Sequence, residues 1–140
     1  MAVRLSGTTN PRLDEKGRLT LPAKFREHFA DGLVVTLVQE GCLALYSEAN
    51  FDAMVERNYE RSTSEADLRE IERWVNMDSS EEHPDRQGRF VVPASLRSWA
   101  DLDRDIVMVG AGTRLELWSP ERWTAYRAEL ETRLTQRRGS

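Results

Sequence analysis

Two stretches of this chain carry residues whose type and spacing suit recognition of an anion or a base edge: Asp14-Glu15-Lys16-Gly17-Arg18 and Asp85-Arg86-Gln87-Gly88-Arg89. A guanidinium is planar and donates two parallel hydrogen bonds, so Arg18 and Arg89 have the chemistry to grip a phosphate or the O6/N7 edge of guanine. The same side chains can instead close on the aspartate of their own motif and simply hold a turn, and on residue types alone both readings stand. Asp14 and Asp85 read as loop-structuring residues that accept backbone N–H groups. Gly17 and Gly88 sit where the chain turns sharply, a place for a positive φ or a bulge. Arg12 and Lys16 flank the first loop, with Lys24 and Arg26 one element later; in the second, Arg86 replaces Glu15 and Arg97 matches Arg26. Lys24 and Arg26 fit a solvated helix face as well as a phosphate contact.

These loops recur because the chain repeats itself. Asp14-Glu-Lys-Gly-Arg-Leu-Thr-Leu-Pro-Ala-Lys-Phe-Arg26 returns 71 positions later as Asp85-Arg-Gln-Gly-Arg-Phe-Val-Val-Pro-Ala-Ser-Leu-Arg97. The likeness continues: residues 34–38 match 105–109, and Leu43-Ala-Leu-Tyr-Ser47 matches Leu115-Glu-Leu-Trp-Ser119 after one added turn residue. Each copy reads as β-α-β-β. Strands are expected at residues 18–21 and 89–92, and Pro22 and Pro93 suit the first turn of a helix. Phe25 and Phe29 fall one turn apart on that helix, as Leu96 does with Trp99 or Ala100. A hairpin then turns at Gly41 in one copy and at Gly110-Ala-Gly112 in the other.

Ser47 and Ser119 are expected to cap closing helices, with Pro120 at a first helical position. Leu68, Ile71, Trp74 and Val75 mark an extra helix between the copies. The expected organisation is a first repeat with its closing helix at 1–59, a helical connector at 60–78, a second repeat with its helix at 79–136 and a frayed tail at 137–140. One such unit is too small to bury much apolar area, so two copies sharing a core by pseudo-twofold symmetry are expected. Apolar surface left on the outer helices favours self-assembly.

With 39% apolar and 31% charged residues, the composition is that of an ordinary folded protein. The net charge of −4 argues against a polyanion partner, but its distribution does not. Residues 4–26 carry six bases against two acids, whereas residues 48–82 carry eleven acids against four arginines. No apolar run reaches the roughly 18 residues of a membrane span, and the opening residues lack a signal-type apolar stretch. The single cysteine, Cys42, reads as a buried strand residue and fits a reducing cytoplasm.

DEKGRLTLPAKFR, its partner DRQGRFVVPASLR and the closing LELWSPERW together resemble the MraZ family, tandem relatives of the AbrB-like swapped-hairpin regulators. The likeness weakens between about Asn58 and Asp78. It implies an α+β fold: two swapped-hairpin repeats forming a pseudo-twofold β-barrel core with peripheral helices. It further implies a cytoplasmic, nucleoid-associated transcriptional regulator of the division and cell-wall gene cluster. Such a regulator binds direct repeats in double-stranded promoter DNA as a ring-shaped homo-oligomer. The family's DNA-contacting arginine falls on Arg18, with Arg89 as its counterpart. The chain departs from the pattern in its opening residues and in the acidic lead Ser79-Ser-Glu-Glu-His-Pro84, so the first loop is the one expected to meet DNA.

Two other functions compete. A structural ring or protein-interaction module without DNA binding would have Arg18 locked to Asp14. An enzyme finds little support: Glu81, Glu82, His83 and Asp85 fall in an expected loop without a His or Cys partner at metal-site spacing, and His28 reads as packing or capping beside Phe29. Neither a catalytic arrangement nor a cofactor motif is present, so no cofactor is expected.

Overall fold

A computed structural model describes residues 4–139 of the chain, an α+β arrangement of two repeats. The first contains β1 (Thr8–Thr9), β2 (Arg18–Thr20), α1 (Ala23–Arg26), β3 (Leu33–Val38), β4 (Cys42–Tyr46) and α2 (Glu48–Glu60). Helix α3 (Glu65–Asn76) follows, and the second repeat runs through β5 (Ser80–Glu82), β6 (Arg89–Val91), α4 (Ala94–Trp99), β7 (Val107–Gly110), β8 (Leu115–Trp118) and α5 (Pro120–Gly139). Each repeat is therefore β-β-α-β-β. The additional lead strands β1 and β5 are short and polar, Thr-Thr and Ser-Glu-Glu, so no apolar alternation announces them. Residues 80–82, expected as loop, are one of these strands.

The six-stranded sheet has the order β1-β7-β8-β4-β3-β5, which reads the same from either end once the repeats are exchanged. Each hairpin stays within its own repeat, and β4 meets β8 at the centre, with Leu43 opposite Leu117 and Leu45 opposite Leu115. The lead strands cross over: β1 pairs with β7 of the second repeat, and β5 with β3 of the first. Gly110 marks one crossing, for a side chain there would run into the backbone of Leu5 and Ser6. Strands β2 and β6 form a separate two-stranded ribbon, again one strand from each repeat. No pairing among the described residues closes the two sheets into a barrel.

One apolar core joins ribbon, sheet and short helices. Leu19 and Phe90 oppose each other on the ribbon and point inward with Leu21 and Val92; Val35, Leu43, Leu45, Met108, Leu115 and Leu117 meet them from the sheet. Burying side chains of this size contributes roughly 1.5–3 kcal/mol each, so the core rather than surface charge holds the repeats together. Phe25 lies on α1, but that helix ends at Arg26, and the buried Phe29 follows in a turn. Pro22 and Pro93 act as N-caps with extended ψ of 143°, one position before the first helical turn. In the second repeat Leu96 and Ala100 are buried, while Trp99 is exposed.

The closing helices start as expected. Ser47 Oγ accepts the Asn50 N–H and Ser119 Oγ the Arg122 N–H, both at 3.2 Å, and Pro120 is the first helical residue. Trp123 and Tyr126 of α5 pack on Trp118, Cys42 and Val107. Cys42 is fully buried, and desolvation pushes its thiol pKa far up, which suits a packing role. Helix α5 continues to Gly139, through residues expected to fray; Ser140 lies outside the described residues. Helix α3 buries Val75 and leaves Trp74 exposed. No helix among the described residues is long and apolar enough to cross a membrane.

Because the lead strands and the ribbon depend on the other repeat, a fragment of residues 1–76 is expected to be unfolded or to pair with a second copy of itself. Sedimentation with circular dichroism checks this; a monomeric fragment with a cooperative thermal transition would contradict the crosswise pairing.

Candidate nucleic-acid interface

Each loop is built around its aspartate. Asp14 Oδ1 accepts the backbone N–H groups of Lys16 at 2.9 Å and Arg18 at 2.8 Å, while Oδ2 accepts Arg18 Nε at 2.7 Å. In the main chain the Asp14 N–H donates to the Arg18 carbonyl and the Gly17 N–H to the Asp14 carbonyl. The second loop repeats every bond: Asp85 Oδ1 takes Gln87 and Arg89 N–H, both at 2.9 Å, and Oδ2 takes Arg89 Nε at 2.9 Å. Gly17 and Gly88 have φ of +75° and +79°, a left-handed conformation costly for residues with a Cβ. In this structure Asp14 and Asp85 accept the N–H groups of their own loops, and Gly17 and Gly88 hold the left-handed turn.

Arg18 and Arg89 each commit Nε to their aspartate, and their side chains remain 33% and 39% exposed. An exposed ion pair is screened by solvent and holds too weakly to lock a side chain against a strong partner. Geometrically, a pair through Nε orients the guanidinium while its terminal nitrogens stay available for a bidentate contact.

Strand register relates the two loops. Arg18 lies opposite Val91 and Thr20 opposite Arg89, with the core residues Leu19 and Phe90 between them. Alternation therefore sends Arg18, Thr20, Arg89 and Val91 to the outer face of the ribbon. The two arginines are diagonal neighbours, a relation that separates residues by about 7–8 Å with the Cβ atoms somewhat closer. Val91 is 43% exposed between them, an apolar side chain on a polar face. Sequence reasoning passed over Thr20 and Val91, although strand alternation around Arg18 and Arg89 would have shown them.

The surrounding bases divide. Lys16 and Arg86 are exposed at the tips of their loops. Arg12 donates through Nε to Asp105 of the other repeat at 3.0 Å, in a pair that is two-thirds exposed. Lys24 holds its Nζ 4.9 Å from the centre of the Phe25 ring. Arg26 is not a free helix-face cation: its Nε donates to the Leu21 carbonyl at 3.1 Å, beside Gly88 of the second repeat. Arg97, absent from the sequence-derived site, makes the matching bond to Val92 at 2.9 Å beside Gly17.

The acid-rich helices lie elsewhere. Tyr46, which packs on Phe51 of α2, alternates with the core residue Leu45, so α2 sits on the sheet face turned away from the ribbon. Helix α3 lines a groove on that same face with Ile71, Trp74 and Val75 beside Thr36 and Tyr46. Glu81 and Glu82 belong to edge strand β5, and His83 lies against Gly32. His28 packs edge-on to Phe29 at 4.7 Å, and burial lowers its pKa.

Fold and site together define a tandem-repeat protein presenting paired arginine loops from one shared ribbon. The family model for MraZ protein matches residues 5–74 and again 77–138. The chain is 47% identical to the "Transcriptional regulator MraZ" of Micrococcus luteus over 130 residues, which is 93% of this chain and 91% of that one. Its counterpart in Arthrobacter sp. is 45% identical over 93% of this chain and 92% of its own. That of Thermobifida fusca is 46% identical over 89% and 87%. The chain belongs to the MraZ family.

Protonation of the loop carboxylates tests their role. Asp14 and Asp85 titrate below the ordinary 3.8, first because of the Arg18 and Arg89 N–H groups, with burial opposing and the arginine side chains adding to the lowering. As pH falls the unfolded chain takes up these protons first. The stabilisation is therefore complete above 3.8 and lost as pH drops through the lower folded-state values. Urea unfolding of wild type and the Asp14→Asn/Asp85→Asn variant between about pH 5 and pH 2 should show the steeper acid loss in wild type. Equal acid limbs would contradict the loop-structuring role.

Proposed function

We propose that this protein is a DNA-binding transcriptional regulator that reads closely spaced direct repeats in promoter DNA with the outer face of its ribbon. Arg18 and Arg89 contact base edges or the nearby backbone, and Arg12, Lys16, Lys24 and Arg86 supply the electrostatic surround. The observation that carries this reading is that both arginines share one exposed strand face, each oriented through Nε. The names of the relatives support the regulatory role. We propose that both loops contribute, since their hydrogen bonds match one for one. The expectation of a dominant first loop rests on the charge of the acidic lead, of which Glu81 stays exposed on β5; the matching loop geometry carries more weight here.

In this reading the protein works as a ring-shaped homo-oligomer with swapped-hairpin repeats, and neighbouring protomers engage consecutive DNA repeats. A second ribbon on the same duplex binds at high effective concentration, so weak single contacts become a stable complex. The targets are the promoter of the division and cell-wall gene cluster, repressed by occupancy, and the protein acts in the cytoplasm at the nucleoid. The acidic helices, on the far side of the sheet, orient the approach by repulsion from phosphate. The structural-ring alternative draws on the Asp14–Arg18 pair, but an exposed pair of this kind exerts too little hold to exclude a DNA contact.

Anisotropy titrations of direct-repeat promoter DNA across a salt series separate the roles. Arg18→Ala and Arg89→Ala should each weaken binding by about 1–3 kcal/mol and relax base preference, and Lys16→Ala should weaken all sequences and reduce the salt slope by about one. Retention of wild-type affinity in both arginine variants would remove the ribbon from the DNA contact. Absence of wild-type binding at any salt would favour the structural ring.

A further inference from the structure

Arg26 and Arg97 occupy equivalent places in the two repeats, and each reaches into the other repeat's loop. Arg97 Nε donates to the Val92 carbonyl at 2.9 Å, and the Val92 N–H donates to the Gly17 carbonyl, also at 2.9 Å. The guanidinium then lies against the Gly17 backbone: a methyl group added there would stand 2.8 Å from Arg97 Cζ and 2.9 Å from Nη2. The mirror arrangement runs from Arg26 Nε to the Leu21 carbonyl and from the Leu21 N–H to the Gly88 carbonyl at 2.8 Å. A methyl on Gly88 would stand 2.6 Å from Arg26 Nε. Gly17 and Gly88 are thus constrained twice, by their positive φ and by the arginine lying over them.

We infer that Arg26 and Arg97 are positioning residues that each brace the opposite repeat's Asp-x-x-Gly-Arg loop, so that the two loops move and bind as one unit. The chemistry calls for arginine. Its extended guanidinium covers the glycine while Nε of the same rigid group donates to a carbonyl, whereas a lysine ammonium is compact, strongly hydrated and has no donor at the Nε position. The brace is crosswise: Arg97 of the second repeat supports Arg18, and Arg26 of the first supports Arg89. Its consequence for binding rests on the DNA-contact reading, while the brace itself does not.

Amide hydrogen exchange on the full chain without DNA tests the brace. Arg97→Lys is expected to speed exchange at residues 14–18 and spare 85–89, and Arg26→Lys to do the reverse. Changes confined to each variant's own repeat, or none, would overturn the inference. On direct-repeat DNA each Lys variant should bind roughly tenfold more weakly with an unchanged salt slope, the loss expected for one good hydrogen bond. A phosphate contact would instead survive the Lys substitution and lose about one unit of slope on Arg→Ala. If the Lys variants unfold, the wild-type side chains still decide. The Nε–H signals of Arg26 and Arg97 should be protected and shift less on adding DNA than those of Arg18 and Arg89; the opposite ranking would overturn the brace. Failure of wild type to bind DNA removes the proposed function and leaves the exchange result to judge the brace alone.

Discussion

Neither repeat can satisfy its own backbone. The lead strands β1 and β5 find their hydrogen bonds on the other repeat's hairpin, and β2 finds its strand partner, among the described residues, in β6. Buried or partly buried N–H and C=O groups left without partners cost as much as a lost hydrogen bond, so a single repeat in this conformation is incomplete. This constraint explains the close approach at Gly110, the palindromic strand order and the fully shared core. Duplication within one chain makes the required partner permanently available, replacing a bimolecular encounter with chain connectivity.

The site inherits the same crosswise logic. Each aspartate shapes a loop within its repeat, yet the strand that the loop feeds is paired across the pseudo-twofold axis. The arginine face therefore exists only when both repeats are folded together. Charge follows architecture: the exposed bases of the loops lie with the ribbon, and the acid-rich helices stand behind the sheet. A chain with a net negative charge can in this way present a locally basic face.

Much of this organisation was legible in the residues themselves. The repeated Asp-x-x-Gly-Arg motif announced two turns, and Ser47 and Ser119-Pro120 announced two helix starts. The repeat match and the glycine turns announced the central hairpins. These signals are local, and local chemistry suffices to produce them. The lead strands were not legible, because Thr8–Thr9 and Ser80–Glu82 become strands only by lying along another repeat's edge. For the same reason Asp105 gave no sign of its pairing with Arg12, nor Arg26 and Arg97 of the glycines they cover. The expected inequality of the loops rests on charge counted along the sequence, a property that hydrogen-bond geometry does not register. Folding draws the acidic lead into an edge strand and leaves the two loops with matching hydrogen bonds.

The central claim is that two loops on one ribbon form a single DNA-contact face. Backbone and arginine side-chain chemical-shift mapping of the intact protein with direct-repeat promoter DNA tests it most directly. The expected result is a footprint covering residues 14–20 and 85–91 together, saturating at one DNA concentration, with α2 and α3 unaffected. A footprint on the acidic helices, or one confined to a single loop, would contradict it.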